Sequence, residues 1–310
     1  MSSRQTQVGV LPAPAVEGNF ADMNPRFTVL GGPGGLVAGS AGVYVGRFAW
    51  LSYQGADPDN APTILNSFGF GAPDGLIPRP GQQSLITQYL SDSTLLIQQG
   101  APVWAMSSGG LWVKNTGASY ATIGLKAYAN LNNGQVTFAA TGSASTVSLT
   151  SSSIAAGTAV AGTASILGNV LTVTAISAGT IYPGTILTGP SGVATGTQVV
   201  AQLSGTTGGI GTYALSIGEQ SVASGTLAGT YGVLTVGGGG PPVYGSVLSG
   251  SGVTTGTTTW GQLTASTYVV SPSQSASSTT ITATTNVETK WYSRSGGGAG
   301  ELVKISDITQ

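Results

Sequence analysis

Gly192-Val193-Ala194-Thr195-Gly196-Thr197 and Gly252-Val253-Thr254-Thr255-Gly256-Thr257 are two versions of one hexapeptide within a single chain. Their surroundings repeat as well. Leu171-Thr172-Val173 answers to Leu234-Thr235-Val236, and Thr185-Ile186-Leu187-Thr188-Gly189 to Ser246-Val247-Leu248-Ser249-Gly250. Gln202-Leu203 pairs with Gln262-Leu263, Tyr213-Ala214-Leu215-Ser216 with Tyr268-Val269-Val270-Ser271, and Gln220-Ser221 with Gln274-Ser275. Copy one runs from Val170 to Gly229 and copy two from Val233 to Thr284. The offset between equivalent residues falls from 63 at the first block to 54 at the last, so the second copy has lost residues between blocks while keeping the blocks. Turns absorb such deletions and paired strands do not.

Each block alternates Thr or Ser with Val, Ile, Leu or Tyr and is bounded by Gly. Alternation of period two with β-branched residues is the signature of strands. Glycine at the boundaries permits the positive φ of tight turns, and no stretch here holds a 3.6-residue apolar period. The copies are therefore expected to be small all-β modules, residues 170–229 and 230–285. Residues 143–169 read as a linker or as lead-in strands. A Gly, Ser and Thr-rich composition also suggests low-complexity linker. Disorder, however, needs low hydrophobicity with high net charge, and these blocks are aliphatic and almost uncharged.

Between Lys126 and Glu288 the only formally charged side chain is Glu219. A typical domain has about a quarter of its residues charged, so this stretch is built for packing and display more than for solution chemistry. The 310 residues carry nine basic and ten acidic side chains and no Cys or His. No basic patch marks a nucleic-acid partner; Lys290 and Arg294 beside Glu288 read as a solvated edge. Near-zero net charge removes the repulsion that keeps copies apart, so a homo-oligomer, dimer or trimer, is expected. Residues 1–16 lack the apolar core of a signal peptide and no run of eighteen apolar residues could span a bilayer, so no membrane partner and synthesis in the cytoplasm are expected.

The flanks differ in composition. Gly42 to Trp50 reads as one aromatic-bearing strand. Pro80 to Leu90 reads as a short helix, with Leu85, Ile86, Tyr89 and Leu90 on one face. Tyr120 to Leu131 is ambiguous, while Gln135 to Ala139 reads as a strand after the Asn132-Asn133-Gly134 turn. Charge and aromatics return together at Glu288-Thr289-Lys290-Trp291-Tyr292 and at Glu301-Leu302-Val303-Lys304-Ile305, separated by the Gly296–Gly298 turn. The tail then reads as a strand pair of the first domain, with the repeat inserted into it. Insertions succeed where the two ends of a loop lie close.

Several runs in the flanks resemble the structural cement, or capsid decoration, proteins of tailed bacteriophages. They are Gln82-Gln83-Ser84-Leu85-Ile86-Thr87, Val103, Gly109-Gly110-Leu111-Trp112-Val113-Lys114-Asn115, Lys126-Ala127-Tyr128-Ala129-Asn130 and Phe138-Ala139-Ala140-Thr141-Gly142. The tail runs Glu288-Thr289-Lys290-Trp291 and Gly300 to Ser306 are similar to that family's closing segment. The resemblance covers residues 1–142 and 286–310, and the repeat is similar to Gly and Thr-rich modules of phage decoration and fibre proteins. It implies an all-β, jelly-roll-like or barrel-like base domain that binds the outside of the capsid, and two small β modules inserted into it. The implied partner is the major capsid protein, whose lattice the chain would stabilise from the outer surface of the virion. The alternative is a receptor-binding fibre or adhesin, in which the repeat is the working part.

Candidate chemistry is sparse. Without His or Cys, Ser-His-acid and Cys-His systems and the usual zinc sites cannot be built. Asp57, Asp59 and Asp74 are the one acidic cluster that could serve glycoside hydrolysis, but they sit in a Pro and Gly-rich stretch where Asp stabilises turns. Asp57-Pro58-Asp59-Asn60 lacks the Gly and distal Glu of a calcium loop. Gly31-Gly32-Pro33-Gly34-Gly35 lacks the helix and Lys-Ser/Thr ending of a phosphate loop. A non-enzymatic protein with no catalytic, cofactor or metal residues is expected. The N-terminal segment, Met1 to Asn24, reads either as a capsid-contacting arm or as a disordered tail. Trp260 and Tyr268 read either as exposed aromatics for weak host-surface contact or as fillers of small cores.

Overall fold

The computed structural model describes residues 15–32, 34–52, 63–81 and 95–308, and every regular element among them is a strand. The first nine are short: β1 Phe27–Thr28, β2 Leu36–Ala38, β3 Val43–Tyr44, β4 Phe48–Ser52, β5 Ile64–Asn66, β6 Gly75–Leu76, β7 Leu96–Ile97, β8 Pro102–Val103 and β9 Met106–Ser108. Seven of them form a sheet in the order β1-β9-β6-β4-β5-β2-β8, and β3 pairs with β7. The stretch Gly42 to Trp50, expected as one strand, is two. Gly46 at φ +79° turns the chain, and the Arg47 N–H donates to the Tyr44 carbonyl at 3.3 Å. Glycine is required there, because a Cβ would lie 2.5 Å from the Glu17 side chain. The expected helix of residues 80–90 falls on residues 82–90, outside the described residues.

Three longer strands follow: β10 Gly110–Lys114, β11 Lys126–Asn130 and β12 Val136–Ala139, the last two joined through Gly134 at φ +66°. The chain then opens a sheet with β13 (Thr146–Ala156) and leaves it. It builds a complete second sheet from β14 Val160–Gly168, β15 Val170–Ala178, β16 Ile186–Gly189, β17 Val199–Gly205, β18 Gly211–Leu215 and β19 Gln220–Thr230. Only then does it return to the first with β20 Gly232–Thr235, β21 Gly238–Gly239, β22 Leu248–Ser249, β23 Thr258–Gln262, β24 Thr267–Ser271 and β25 Ala276–Thr284.

The two sheets have the same strand order. One runs β16-β19-β14-β15-β18-β17 and the other β22-β25-β13-β20-β24-β23, with β21 added beside β13. Thus the β14–β19 sheet is nested within the β13–β25 sheet. The sequence copies starting at Val170 and Val233 begin one strand into each sheet, since the first strands, β14 and β13, both precede them.

The repeated hexapeptide owes its form to a buried polar turn found in both sheets. The Thr197 hydroxyl donates to the Ala194 carbonyl at 2.7 Å, while Gln220 accepts from the Ala194 N–H at 2.8 Å and donates to Thr197 at 3.3 Å. In the second sheet Thr257, Thr254 and Gln274 do the same at 2.7, 2.7 and 2.5 Å. Thr185 and Ser246 accept from Tyr182 and Val243 N–H groups at 3.2 and 3.1 Å. Thr185, Thr197, Ser246 and Thr257 are buried, so these bonds satisfy groups that would otherwise be stranded away from water.

The last strands, β26 Asn286–Ser293 and β27 Leu302–Ser306, rejoin β10 to β12 in the order β10-β27-β26-β11-β12. Trp291, Val303 and Ile305 from this sheet pack with Phe48, Leu76 and Met106 from the first, the Trp291 and Phe48 rings lying 5.3 Å apart. The sheets curl into half-barrels around such cores.

Candidate functional site

The two charges that bound the uncharged stretch meet in space. Lys126 Nζ lies 3.7 Å from Glu288 Oε1 and 3.9 Å from the centre of the Tyr292 ring. The other Glu288 oxygen accepts from the Gly142 N–H at 2.7 Å and the Tyr128 hydroxyl at 3.0 Å. Chiefly through the Gly142 bond, with help from Tyr128 and Lys126, the carboxyl is held below the usual glutamate range. Beside it, Asn286 accepts from Ser145 N at 2.6 Å and donates to Thr137 and Ser145 hydroxyls, while Thr285 N donates to the Ser145 carbonyl at 2.9 Å. Strands β13 and β25 leave and return through this neck.

A second junction braces the nested sheets against the first. Phe70, between β5 and β6, lies 4.6 Å from Tyr244 and 4.3 Å from Trp260, and Phe68 lies 5.1 Å from Tyr244. Trp260 and Val269 belong to the same core cluster as Leu171, Tyr213 and Leu227 of the inner sheet. Trp260 is only 8% exposed and Tyr268 6%. Of the two readings of these aromatics, core filling is the one the structure bears out: Trp260 packs between the two sheets and Tyr268 within the core of its own sheet, beside Leu149, Ile154 and Leu234. An open groove of about 730 Å³ runs along this junction between Asn132 and the Gly237–Val243 turn, and a cavity of about 300 Å³ lies between Trp50, Phe70, Asp74 and Trp260.

Near the N-terminus the chain presents apolar side chains to solvent. Met23 is 92% exposed, Leu30 82% and Phe27 63%. Phe27 lies on β1, an edge strand. The preceding residues are fastened down: Gly18 and Ala21 N–H groups donate to the Trp112 and Gly110 carbonyls at 2.8 and 3.0 Å, and Trp112 N donates to Asn19 at 3.0 Å. Asp22 lies 3.5 Å from Lys304, and Arg26 stacks 3.8 Å from the Phe20 ring centre. The expected arm of residues 1–24 is therefore corrected at its inner end, where residues 17–22 are part of the β10 sheet; residues 1–14 lie outside the described residues.

Asp57 and Asp59 lie outside the described residues. Asp74 is described, and its carboxylate accepts at 2.7 Å from the N–H of Leu51 on β4, a bond that fastens its loop to that strand rather than closing a local turn. Burial holds it above the ordinary aspartate range despite that bond. Among the described residues no group of three or more acids is close enough to hold a metal ion. Lys290 pairs with Asp307 at 3.3 Å, and Arg294 donates to the Ile308 carbonyl at 2.7 Å. Sequence reasoning missed the exposed Met23, Phe27 and Leu30, whose signal was apolar residues crowded into a segment without period, and the Phe68-Gly69-Phe70 brace.

The arrangement can bind surfaces through exposed apolar side chains. A family model described as XM1 gp53 minor capsid protein matches residues 4–174, just over half of the chain and the whole of β1 to β14. No curated protein and no solved structure matches.

Proposed function

Because the chain belongs to the XM1 gp53 minor capsid protein family and so has a virion structural role, we propose that it attaches to the outside of the capsid and stabilises the major capsid protein lattice. In this reading residues 1–142 and 286–310 form the capsid-binding base domain. The nested sheets of β13 to β25 are carried outward from the neck. Copies of the chain associate with one another on the lattice. A protein that binds only the assembled lattice stabilises it by mass action.

The observation that carries the reading is the exposed run of Met23, Phe27 and Leu30 inside the family-matched segment. Large apolar side chains left exposed close together in sequence, one of them on an edge strand, mark an interaction surface. Burial of Trp260 and Tyr268 weighs against the adhesin alternative, since it removes the aromatics that would face a host.

The test uses purified capsids lacking this protein. Replacing Met23, Phe27 and Leu30 together by Ser is expected to leave the melting temperature unchanged and to weaken capsid binding at least tenfold. Fully burying each such side chain is worth about 1.5–3 kcal/mol, so even partial burial of three exceeds that threshold. In virions, the copy number should approach that of capsid subunits. A copy number set by tail symmetry would return the adhesin reading, and undiminished binding of the triple variant would remove the apolar surface from the proposal.

A further inference from the structure

Five of the eight cationic side chains among the described residues are engaged. Arg26 and Arg294 donate to carbonyls, while Lys126, Lys290 and Lys304 face carboxylates. The other three, Arg47, Arg79 and Lys114, have no side-chain hydrogen bond or ion pair with a described residue, and all three act on one half-buried carboxyl, Glu17. They come from separate parts of the fold: Arg47 from the turn between β3 and β4, Arg79 from the turn after β6, and Lys114 from the end of β10. In a chain with so few charges, convergence of three cations that have no ion pair with a described residue is a specific arrangement.

Two of them, Arg47 and Lys114, line a pocket of about 250 Å³ together with Glu17, Tyr44, Thr116 and Gln135. Arg47 is oriented by stacking 4.2 Å from the Tyr44 ring centre. Burial lowers the tendency of its guanidinium to stay charged, which a bound anion would offset. Burial likewise holds the Glu17 carboxyl above its ordinary range in spite of Arg47, Lys114 and Arg79. One carboxylate therefore leaves three cations with a surplus of positive charge. The pocket is smaller than the roughly 300–1,000 Å³ sites that hold drug-sized ligands, which suits one carboxylate better than a nucleotide.

We infer that this pocket receives a carboxylate side chain from an acidic segment of a partner protein in the virion, held by Arg47 and Lys114. The partner's location rests on the proposed capsid attachment. Guanidinium and ammonium donors grip a carboxylate through charge-assisted hydrogen bonds, and Glu17 opposes entry by like charge. Glu17 is thus the element that keeps the pocket from filling with stray anions.

Titrating the full chain calorimetrically with hexaglutamate, with inorganic phosphate and with a single-stranded oligonucleotide tests the pocket without any capsid. Hexaglutamate is expected to bind, and Lys114→Gln, at an exposed side chain that the fold does not need, to weaken it about tenfold. Glu17→Gln, nearly isosteric, is expected to tighten it. Binding of phosphate or oligonucleotide in preference to hexaglutamate, an unchanged affinity in Lys114→Gln, or no binding at all would each overturn the inference. Capsid binding measured on the same variants separates the two ideas. If wild type binds hexaglutamate but not capsids, the pocket stands and the attachment reading falls; if it binds capsids but not hexaglutamate, the reverse holds.

Discussion

Gly184 lies where a single methyl group tests the packing of the nested sheets. Its φ is +90°, and a Cβ built on it would stand 2.4 Å from Cγ of Trp260, an approach no real Cβ makes. Gly184→Ala therefore carries two penalties: about 1–2 kcal/mol for an L-residue in the left-handed region, and about 1–3 kcal/mol for forcing a buried indole to move. Gly196, in the same sheet, separates them. Its φ is +84° with no atom within 4 Å of the added Cβ, so Gly196→Ala carries only the backbone cost. The difference between the two variants is then the steric part, about 1–3 kcal/mol, or about 2–12 °C in melting temperature at 2–4 °C per kcal/mol. Thermal unfolding followed by circular dichroism reads it. Trp260→Leu, destabilising alone, should make room for the methyl, so the double variant should be at least about 0.5 kcal/mol better than additive. If Gly184→Ala and Gly196→Ala melt within about 1 °C of one another, a spread too small for the steric term, Trp260 is not packed against the inner sheet and the brace is disproved.

Three other outcomes follow from the geometry. Glu288 has a lowered folded pKa, so its stabilisation is fully present above the unfolded value of about 4.3 and fades as pH falls through the folded value. The stability gap between wild type and Glu288→Gln, measured by denaturant unfolding, should close in acid; a constant gap would mean the neck does not depend on that charge. Asp74 has the opposite sign: its raised folded pKa gives stability present below about pH 3.9 and lost as pH rises through the folded value. Asp74→Asn keeps an acceptor for Leu51 N–H and should therefore match or exceed wild type at pH 7 while losing that advantage near pH 3. Finally, Ala156 and Gly232 are register partners of β13 and β20, so residues 157–231 can be replaced by an Asn-Gly turn. The shortened chain should fold with a stability loss of about 3–6 kcal/mol from uncovering Trp260 and Val269, and should bind capsids as wild type does; loss of capsid binding by a folded product would place attachment in the inner sheet.

The strands of the repeat were legible because Thr and Val alternate and Gly marks their ends, β12 from the Asn132-Asn133-Gly134 turn before it, and β26 and β27 from charge and aromatics returning together, whereas β11 lies in a stretch whose sequence is ambiguous. What the linear pattern concealed was the order of assembly. Strands β13 and β14 are Ser and Ala-rich, so neither resembles its counterpart, and the first strand of the outer sheet lies upstream of the whole inner one. Alignment of the copies could begin only where both were contiguous, at Val170 and Val233. The break of residues 42–50 was hidden in a different way. Gly46 looks like strand punctuation in sequence, and its necessity comes from Glu17, a residue remote in the chain. The basic pocket was invisible for that reason too, since Arg47, Arg79 and Lys114 are spaced without period.

The nested topology bears on what the charge-poor sheets can do. A module attached at one neck swings about it, and two strands crossing at Glu288 and Asn286 would allow such motion. Here the inner sheet's core extends through Trp260 to Phe70, which belongs to the first sheet's loop, so the pair is held at a second point distant in sequence from the neck. Two points of attachment fix an orientation that one leaves free. Fixing it costs conformational entropy, and the aromatic contacts supply the offset. The sparse charge is consistent with this arrangement, because surfaces that pack on one another lose charged side chains, whereas freely displayed ones need them for solubility. The nested sheets are thus tied to the β1–β12 part of the chain at two points, and Phe70, Tyr244 and Trp260 form the second of them.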